Sequence, residues 1–582
     1  MARWVFPSID EAIAQRLAAE LRIVPVAARV MCGRGLCTPE AARRFFRPSL
    51  DDLHDPFRMA GMADAVARLR RAVETGERVL VYGDYDVDGT TSVVILTKAI
   101  ELAGGVSEWH VPHRLKDGYG MRPEVVEKAA ADGVRLIVSV DTGIRAAEVV
   151  RRANELGIDV IVTDHHLPEA ELPPAVAVLN PNRRDCEYPE KNLCGAGVAL
   201  KLVQALLGTL PWPADKQRRV IESFLKLVAI GTVADVVPLT GENRVIVRHG
   251  LDGLASVRNP GLRALLDVAG FAGKTPSSRQ IAFQIAPRLN AAGRMDTARA
   301  VVELFLTADA DRARDLAKQL HDQNAERQQV EAEIREICEQ IEVKDGEYAL
   351  IFCGEGWHRG VLGIVASRMV ERYYRPTFVL SSNAEDGLAQ GSGRSIEAFH
   401  LLDALESMPD LFVKFGGHSH AAGLTLEAAR VPEFRERFNA WAVQHLTADD
   451  LIPRLRIDAM VELRELGEDC ANDLFSLAPF GCGNPAPTLA AMDVEVAGHA
   501  PLGEKHLKVM LRQNGRTLSL KAWGFAARAA EIAPGTRIDV AFTVEEDAYS
   551  AARGYPPWCA TLRELRPAEA RADAAGAAPT RF

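Results

Sequence analysis

The chain has 582 residues, 48% of them hydrophobic and 25% charged, and carries a formal net charge of −10. These values exclude a disordered or fibrous chain. They give no support to a bulk basic binder of nucleic acid, so nucleic acid would have to be met by a local groove. At roughly 100–200 residues per domain, three to five domains are expected. The nine cysteines are scattered and form no Cys-x-x-Cys pair. That fits a reduced, cytoplasmic setting better than a disulfide framework. Residues 1–10 hold no long apolar core, and no run of about 18 apolar residues occurs, so neither a signal peptide nor a membrane span is expected.

Residues 1–50 read as helical and loosely coupled to the rest. Asp10 caps an amphipathic helix running to Leu21, and Thr38-Pro39-Glu40 opens another to Phe46. Arg43, Arg44 and Arg47 read as a solvated helix face. A helix over 62–75 follows, and then strands and helices alternate. The pattern predicts strands at 78–83, 106–111, 135–140, 158–163 and 175–179, and helices at 90–103, 122–132, 145–156 and 195–208. Such alternation argues a parallel sheet covered on both faces, with ligands beyond the carboxyl ends of the strands.

Acid and imidazole residues fall where that rule puts them. The strand at 78–83 runs into Asp84-Tyr85-Asp86-Val87-Asp88-Gly89. If this segment is extended, alternation points all three carboxylates the same way. A capped turn needs one Asp, whereas three in register call for a cation. The strand at 135–140 ends in Asp141-Thr142-Gly143, and the strand at 158–163 in Asp164-His165-His166. A later helical run, Gly231-Thr232-Val233-Ala234-Asp235, places one acid among apolar residues, which is costly unless it is paired or ligating. Two imidazoles and at least five carboxylates suit two cations about 3.5–4 Å apart. Oxygen-rich ligation favours Mn²⁺ or Mg²⁺ over Zn²⁺. The chemistry implied is hydrolysis of a phosphoester or phosphoanhydride. No Gly-x-x-x-x-Gly-Lys-Ser/Thr loop occurs, so nucleotide-driven work is not supported.

In order and spacing these four motifs resemble the DHH phosphoesterases. The resemblance implies that Asp86 and Asp141 help hold one metal, and that Asp88, Asp141, His165 and Asp235 hold a second, with Asp141 shared. His166 would assist at the scissile phosphate. Asp84 matches the first acid of the RecJ branch of this family. Many relatives have a His two residues before that position, where this chain has Tyr82.

Further along, residues 281–294 set Arg288, Asn290 and Arg294 among small residues, and Arg forks suit phosphate. This run resembles a signature of the RecJ branch. Residues 309–343 predict a long polar helix with a thin apolar stripe, a connector between domains. The polar stretch 321–329 argues against a coiled-coil seam. Residues 346–445 predict a second α/β unit. Gly356-Trp357-His358-Arg359 opens a helix there, Gly391-Ser392-Gly393-Arg394 looks like an anion cradle, and Gly416-Gly417-His418-Ser419-His420 makes a second glycine-rich turn. The unit resembles the substrate-binding domain that follows the catalytic domain in many DHH proteins. Arg294, Ser392 and Arg394 would grip a terminal phosphate, Arg359 would belong to the same surface, and His418 and His420 would reach the backbone near the metals. From 453 to about 565 the text is all-β, five or so short strands that suggest a small oligonucleotide-binding barrel. Lys505, Lys508, Lys521 and Trp523 are its candidate single-strand contacts, although Trp523 at such a position is more often core. Residues 567–582 read as a disordered tail.

The expected architecture is thus α/β. It runs as an N-terminal helical segment (1–50), a parallel-sheet DHH domain (51–260), a substrate-contacting segment with the long helix (261–345), a DHH-associated domain (346–450) and an OB-like barrel (451–566). The resemblance implies a cytoplasmic, monomeric exonuclease using two Mn²⁺ or Mg²⁺ ions. It would degrade single-stranded DNA 5′→3′ to mononucleotides in repair and recombination, alongside a RecQ-type helicase or a single-strand binding protein. The alternatives are a DHH phosphodiesterase for short oligonucleotides or cyclic dinucleotides, and a non-catalytic scaffold of the same fold. The barrel and the 288–294 run speak against the first, and the intact set of acids against the second.

Overall fold

The structure, a computed structural model, describes residues 2–114, 116–118 and 120–568. Residues 569–582 of the expected disordered tail lie outside it. The described residues fall into two compact units, 49–451 with 479–484, and 2–48 with 452–478 and 485–568.

In the larger unit five parallel strands form one sheet in the order Val106–His110, Arg78–Tyr82, Val134–Val140, Asp159–Thr163, Ala177–Leu179. Alternation along each strand feeds two cores. Val79, Val81, Val138 and Ile161 pack on one face against the helices Met62–Thr75, Val87–Leu102, Gly195–Gly208 and Ala214–Ala234. Leu80, Tyr82, Ile137 and Val160 pack on the other against Pro123–Ala131 and Ala147–Glu155. Helix Val87–Leu102 is buried nearly all round. Its hydroxyls satisfy themselves inside the core: Thr90, Thr91 and Ser92 each donate to the carbonyl four residues earlier, at 2.7 Å.

The first core does not stop at 260. It continues through helices Pro260–Val268, Ala286–Met295 and Arg299–Leu306 into the first turns of the long helix Ala310–Gln340, ending at Leu320. The segment expected as a separate contact element is therefore partly core. Beyond it lies a five-stranded sheet in the order Phe412–Gly417, Ala421–Glu427, Leu388–Arg394, Thr377–Ser382, Leu350–Glu355, carrying helix Leu362–Tyr373 and helix Val431–His445. Here the expected cradle 391–394 is strand, paired with both Ala421–Glu427 and Thr377–Ser382. Its glycines serve close packing: a Cβ at Gly391 would sit 2.3 Å from the Val379 carbonyl oxygen, and one at Gly393 would sit 2.5 Å from the Phe378 ring.

In the smaller unit, strand Thr488–Pro501 pairs with both Leu507–Gln513 and Arg537–Glu546, and the pairings Arg516–Ala522 and Trp558–Pro567 close a five-stranded barrel. The N-terminal segment is not loosely coupled. Strand Arg3–Val5 pairs in parallel with Arg454–Arg456, the Val24 amide donates to Asp473, and Arg34 bonds Asp458 at 3.0 Å. Sequence periodicity carries no information about such partners hundreds of residues away.

Candidate metal centre and phosphate-binding side chains

The first carboxylates are placed by a strand-to-helix turn. The strand ends at Tyr82 and the helix starts at Val87, with Asp86 as its cap accepting from the Gly89 amide at 2.9 Å. A Cβ on Gly89 would sit 2.7 Å from the backbone N and O of Asp84, so only glycine lets the helix start this close to the strand end. The expectation of three aspartates on one side of an extended segment fails in detail. Asp88 lies in the first helical turn, because helix begins three residues earlier than its apolar pattern suggested. Asp88 is nonetheless drawn into the same place. Its two oxygens accept from the Gly195 amide at 2.5 Å and the Ala196 amide at 2.8 Å, the positive end of helix Gly195–Gly208.

Asp141 follows its strand in a left-handed conformation, φ +58°, one that few L-residues hold outside functional turns. Its amide donates to the Thr163 carbonyl at 2.9 Å, which locks the turn. Asp235 ends helix Ala214–Ala234. The His165 Nε2 stands 3.2 Å from an Asp141 oxygen, 3.7 Å from Asp235 and 3.8 Å from Asp88.

Three sets of potential ligand atoms each lie within 4.8 Å of one another: Asp84, Asp86 and Asp141; Asp88, His165 and Asp235; and Asp141, His165 and His166. The chemistry of this donor set fits divalent cations. Buried oxygens of Asp84, Asp141 and Asp235 and the Nε2 of His165 have no hydrogen-bond partner, which is costly for polar atoms out of water unless something else meets them. Burial, and then the neighbouring Asp86, push the Asp84 carboxyl well above its ordinary pKa. Burial followed by the charges of Asp88, Asp86, Asp84 and Asp235 does the same to Asp141. Burial and then Asp88 raise Asp235 to about 9. Such a crowd keeps its charge only where positive charge is supplied.

Asp164 plays a different part, and sequence reasoning gave it none. It is fully buried and accepts from the amides of Ile144, His165 and His166 and from the His166 Nδ1, the last at 2.7 Å. Burial would lower the His166 pKa, but the hydrogen bond and charge of Asp164 outweigh it and raise it. His166 thus keeps its Nδ1 on Asp164 while its ring lines a cleft. That cleft, of 960 Å³, is lined by Thr142, Arg145, His165, His166 and His418.

The phosphate side chains divide. Helix Ala286–Met295 packs on the metal turn: Asn290 accepts from the Val87 amide at 3.3 Å, and a Cβ on Gly293 would sit 2.8 Å from the Tyr85 carbonyl oxygen. It carries Arg294, which donates to the Gly360 carbonyl at 3.0 Å. Burial, and then the charges of Arg114, Arg327 and Arg394, lower the Arg294 pKa to about 9. Arg394 bonds the Ser392 hydroxyl at 2.9 Å. Arg114, which sequence reasoning missed, stacks over the Tyr85 ring at 4.8 Å. The rule about carboxyl ends would have found it, since it follows strand Val106–His110. Two expected residues are engaged elsewhere. Arg288 bonds His321 of the long helix at 3.2 Å and the Gln284 carbonyl, and Arg359 is exposed and bonds Gln390. His420 is exposed and does not line the cleft.

In the barrel, Lys505 and Lys508 are exposed, and Lys508 sits opposite Lys521 on the outer face. Lys521 is held by Asp547 at 2.8 Å. Trp523 is 49% exposed, edge-on to His506, so it is not core.

Comparison with known proteins gives matches to the DHH family N-terminal domain over residues 78–232, the DHHA1 domain over 345–444 and the RecJ OB domain over 457–554. The single-stranded-DNA-specific exonuclease RecJ of Dickeya dadantii is 39% identical over 527 residues, covering 88% of this chain and 89% of that one. Crystal structures of RecJ from Thermus thermophilus superpose with TM-scores of 0.83 with Mn²⁺ (31% identity, 98% of this chain and 80% of that one) and 0.77 with Mg²⁺ (30% identity, 98% and 79%).

Proposed function

The chain belongs to the RecJ family of single-stranded-DNA-specific exonucleases, and from that premise we propose how its residues divide the work and from which end it digests. It is a metal-dependent hydrolase of single-stranded DNA using Mn²⁺ or Mg²⁺. The observation that carries the proposal is the pair of ligand sets that meet at Asp141 and His165.

Asp84, Asp86 and Asp141 hold one cation, and Asp88, His165 and Asp235, with Asp141 shared, hold a second. Bound there, the cations activate water and neutralise charge on the phosphate under attack. Arg294, Arg394 and Ser392, joined by Arg114, grip the 5′-terminal phosphate and set the register of the strand. Asn290 holds the metal turn in place through the Val87 amide. His166, steadied by Asp164, hydrogen-bonds the scissile phosphate from the wall of the cleft. His418 meets the strand from the opposite wall of the cleft. The bond from the terminal nucleoside O3′ to the next phosphorus breaks, releasing a 5′-mononucleotide and leaving a new 5′-phosphate on the strand. Lys505, Lys508, Lys521 and Trp523 hold the strand further on, where alternating charge and ring surface suit a single strand of any sequence.

We place the enzyme in the cytoplasm as a monomer that receives strands opened by a RecQ-type helicase or held by a single-strand binding protein. All nine cysteines are free, and no helix among the described residues is long and apolar enough to cross a membrane. The test is Mn²⁺-dependent digestion of strands labelled at either end, alongside duplex, RNA and cyclic dinucleotides. The 5′ label should leave first as a mononucleotide, with Arg394→Ala slowing 5′-phosphate ends more than 5′-hydroxyl ends. First release of the 3′ label refutes the polarity, and equal slowing on both ends refutes the terminal-phosphate grip.

A further inference from the structure

A second opening lies apart from the cleft that holds His165, His166 and His418. It is a groove of 390 Å³ walled by three helices: Ala286–Met295 with the turn before it, the long helix Ala310–Gln340, and Leu362–Tyr373. Its inner end is Arg294, whose charge feels both Asp86 and Arg394. At the same end, a Cβ on Gly363 would stand 2.9 Å from an Arg394 guanidinium nitrogen and 3.0 Å from the Ser392 hydroxyl, and the next residue, Ile364, is groove wall. Arg294 therefore links the groove to Arg394 and Ser392, the side chains proposed for the terminal phosphate, and the long helix supplies the rest of one wall.

Its lining is chemically specific. Arg327, Arg335 and Arg368 line it together with Arg294, and Glu331 is the one carboxylate among the lining residues. Glu331 pairs with Arg327 and lies 3.5 Å from Arg368, while Arg335 and Arg368 also pair outside the lining with Glu339 and Glu371, so the lining itself holds four arginines to one carboxylate, in ordered positions. On the opposite wall Phe283 is 66% exposed. Its exposure has a backbone cause. Pro287 has no amide to offer the Phe283 carbonyl, and the helix widens there into a π turn over Ile281–Ile285. A large ring is thus held out over a cationic floor. A cavity of this size is within the range of about 300–1,000 Å³ for small-molecule sites. One planar apolar surface and several fixed cations recognise a base and a phosphate together.

We infer that this groove binds the released nucleoside 5′-monophosphate and is its way out. The inference rests on the exonuclease reading, because that reaction leaves a dianionic nucleotide gripped at Arg294 and Arg394 while the remaining strand still fills the cleft. A ladder of arginines lets the phosphate move outward without meeting water unaided, and Phe283 stacks the base.

The test is calorimetric binding of dTMP, thymidine and inorganic phosphate to the full chain without DNA, in the wild type and in the Phe283→Ala, Arg335→Ala and Arg394→Ala variants, Phe283 being exposed and Arg335 part-buried, with melting curves to confirm folding. The expected result is dTMP binding at least about tenfold tighter than either fragment, and a loss of about tenfold for dTMP in Phe283→Ala and in Arg335→Ala. Equal dTMP affinity in the wild type, Phe283→Ala and Arg335→Ala proteins overturns the groove assignment, whether or not Arg394→Ala shows a loss. These outcomes are independent of digestion. A wild type that binds dTMP through Phe283 and leaves single strands intact would refute the exonuclease reading and keep the groove.

Discussion

Replacing Gly195 by Ala adds one methyl group at the point where the two halves of the metal centre are closest. Gly195 is the first residue of its helix, and its amide donates to Asp88. A Cβ there would stand 2.5 Å from the Asp141 Cβ and 2.8 Å from its Cγ and Oδ1. Carbon atoms prefer at least about 3.5 Å, so Asp141 or the helix start has to move by roughly 1 Å. Overpacking of this kind costs about 1–3 kcal/mol, while the gain in helix propensity returns about 1 kcal/mol. Global stability should therefore fall only slightly. A misplacement of about 1 Å at reacting groups costs on the order of 100-fold in rate. Gly195→Ala should accordingly melt within a few degrees of wild type, bind single strands normally and release nucleotides about 100-fold more slowly, with half-saturation moved to higher Mn²⁺ concentration. The assay is a Mn²⁺ titration of nucleotide release from end-labelled strands, paired with a melting curve. Digestion within threefold of wild type at every Mn²⁺ concentration would refute the reasoning.

Three further outcomes are expected. Asp164→Asn keeps the shape of the side chain but removes the charge that raises the His166 pKa, so the pH profile of kcat/KM should shift to lower pH; an unmoved profile would take Asp164 out of the role of positioning residue. Lys201 and Glu242 form a fully buried ion pair at 2.7 Å, with the Tyr188 hydroxyl donating to the same carboxylate at 2.6 Å. Lys201→Met strands that carboxylate and should cost about 3–5 kcal/mol in denaturant unfolding, and a loss below about 1 kcal/mol would mean the core relaxes around it. Trp523→Ala should weaken binding of long single strands by about 1–3 kcal/mol, the range for one stacked base, with little effect on strands too short to reach the barrel; filter binding against strand length reads both.

Several features were legible because they are local. Strands at 78–83 and 158–163, the helix over 195–208, the Asp10 and Thr38 caps and the connector opened by Asp309 all depend on apolar period and on residues adjacent in the chain, and they lie within a few residues of the expected bounds. The acid and imidazole residues were legible for a second reason: parallel sheets deliver strand ends to one rim, so Asp84, Asp86, Asp141 and His165 share an address that chain order alone implies.

The turn at Asp84–Asp88 shows where that reading stopped. Its period suggested three aspartates in one extended row, but helix start depends on Asp86 reaching the Gly89 amide and on Gly89 fitting against Asp84. Asp88 reaches the centre because the amides of Gly195 and Ala196, more than a hundred residues later, bind it. The part played by Asp164 and the groove behind Arg294 were invisible for the same reason. The sequence by itself determined the element types, the domain order and the inventory of candidate ligands. Tertiary structure alone decided which carboxylate binds a helix terminus, which arginines gather around Arg294 and which, like Arg288 and Arg359, bond elsewhere. The physical cause is range. Backbone propensity and side-chain period act over one turn or one strand, whereas burial, charge and hydrogen-bond partners are set by whatever the folded chain brings within a few ångströms.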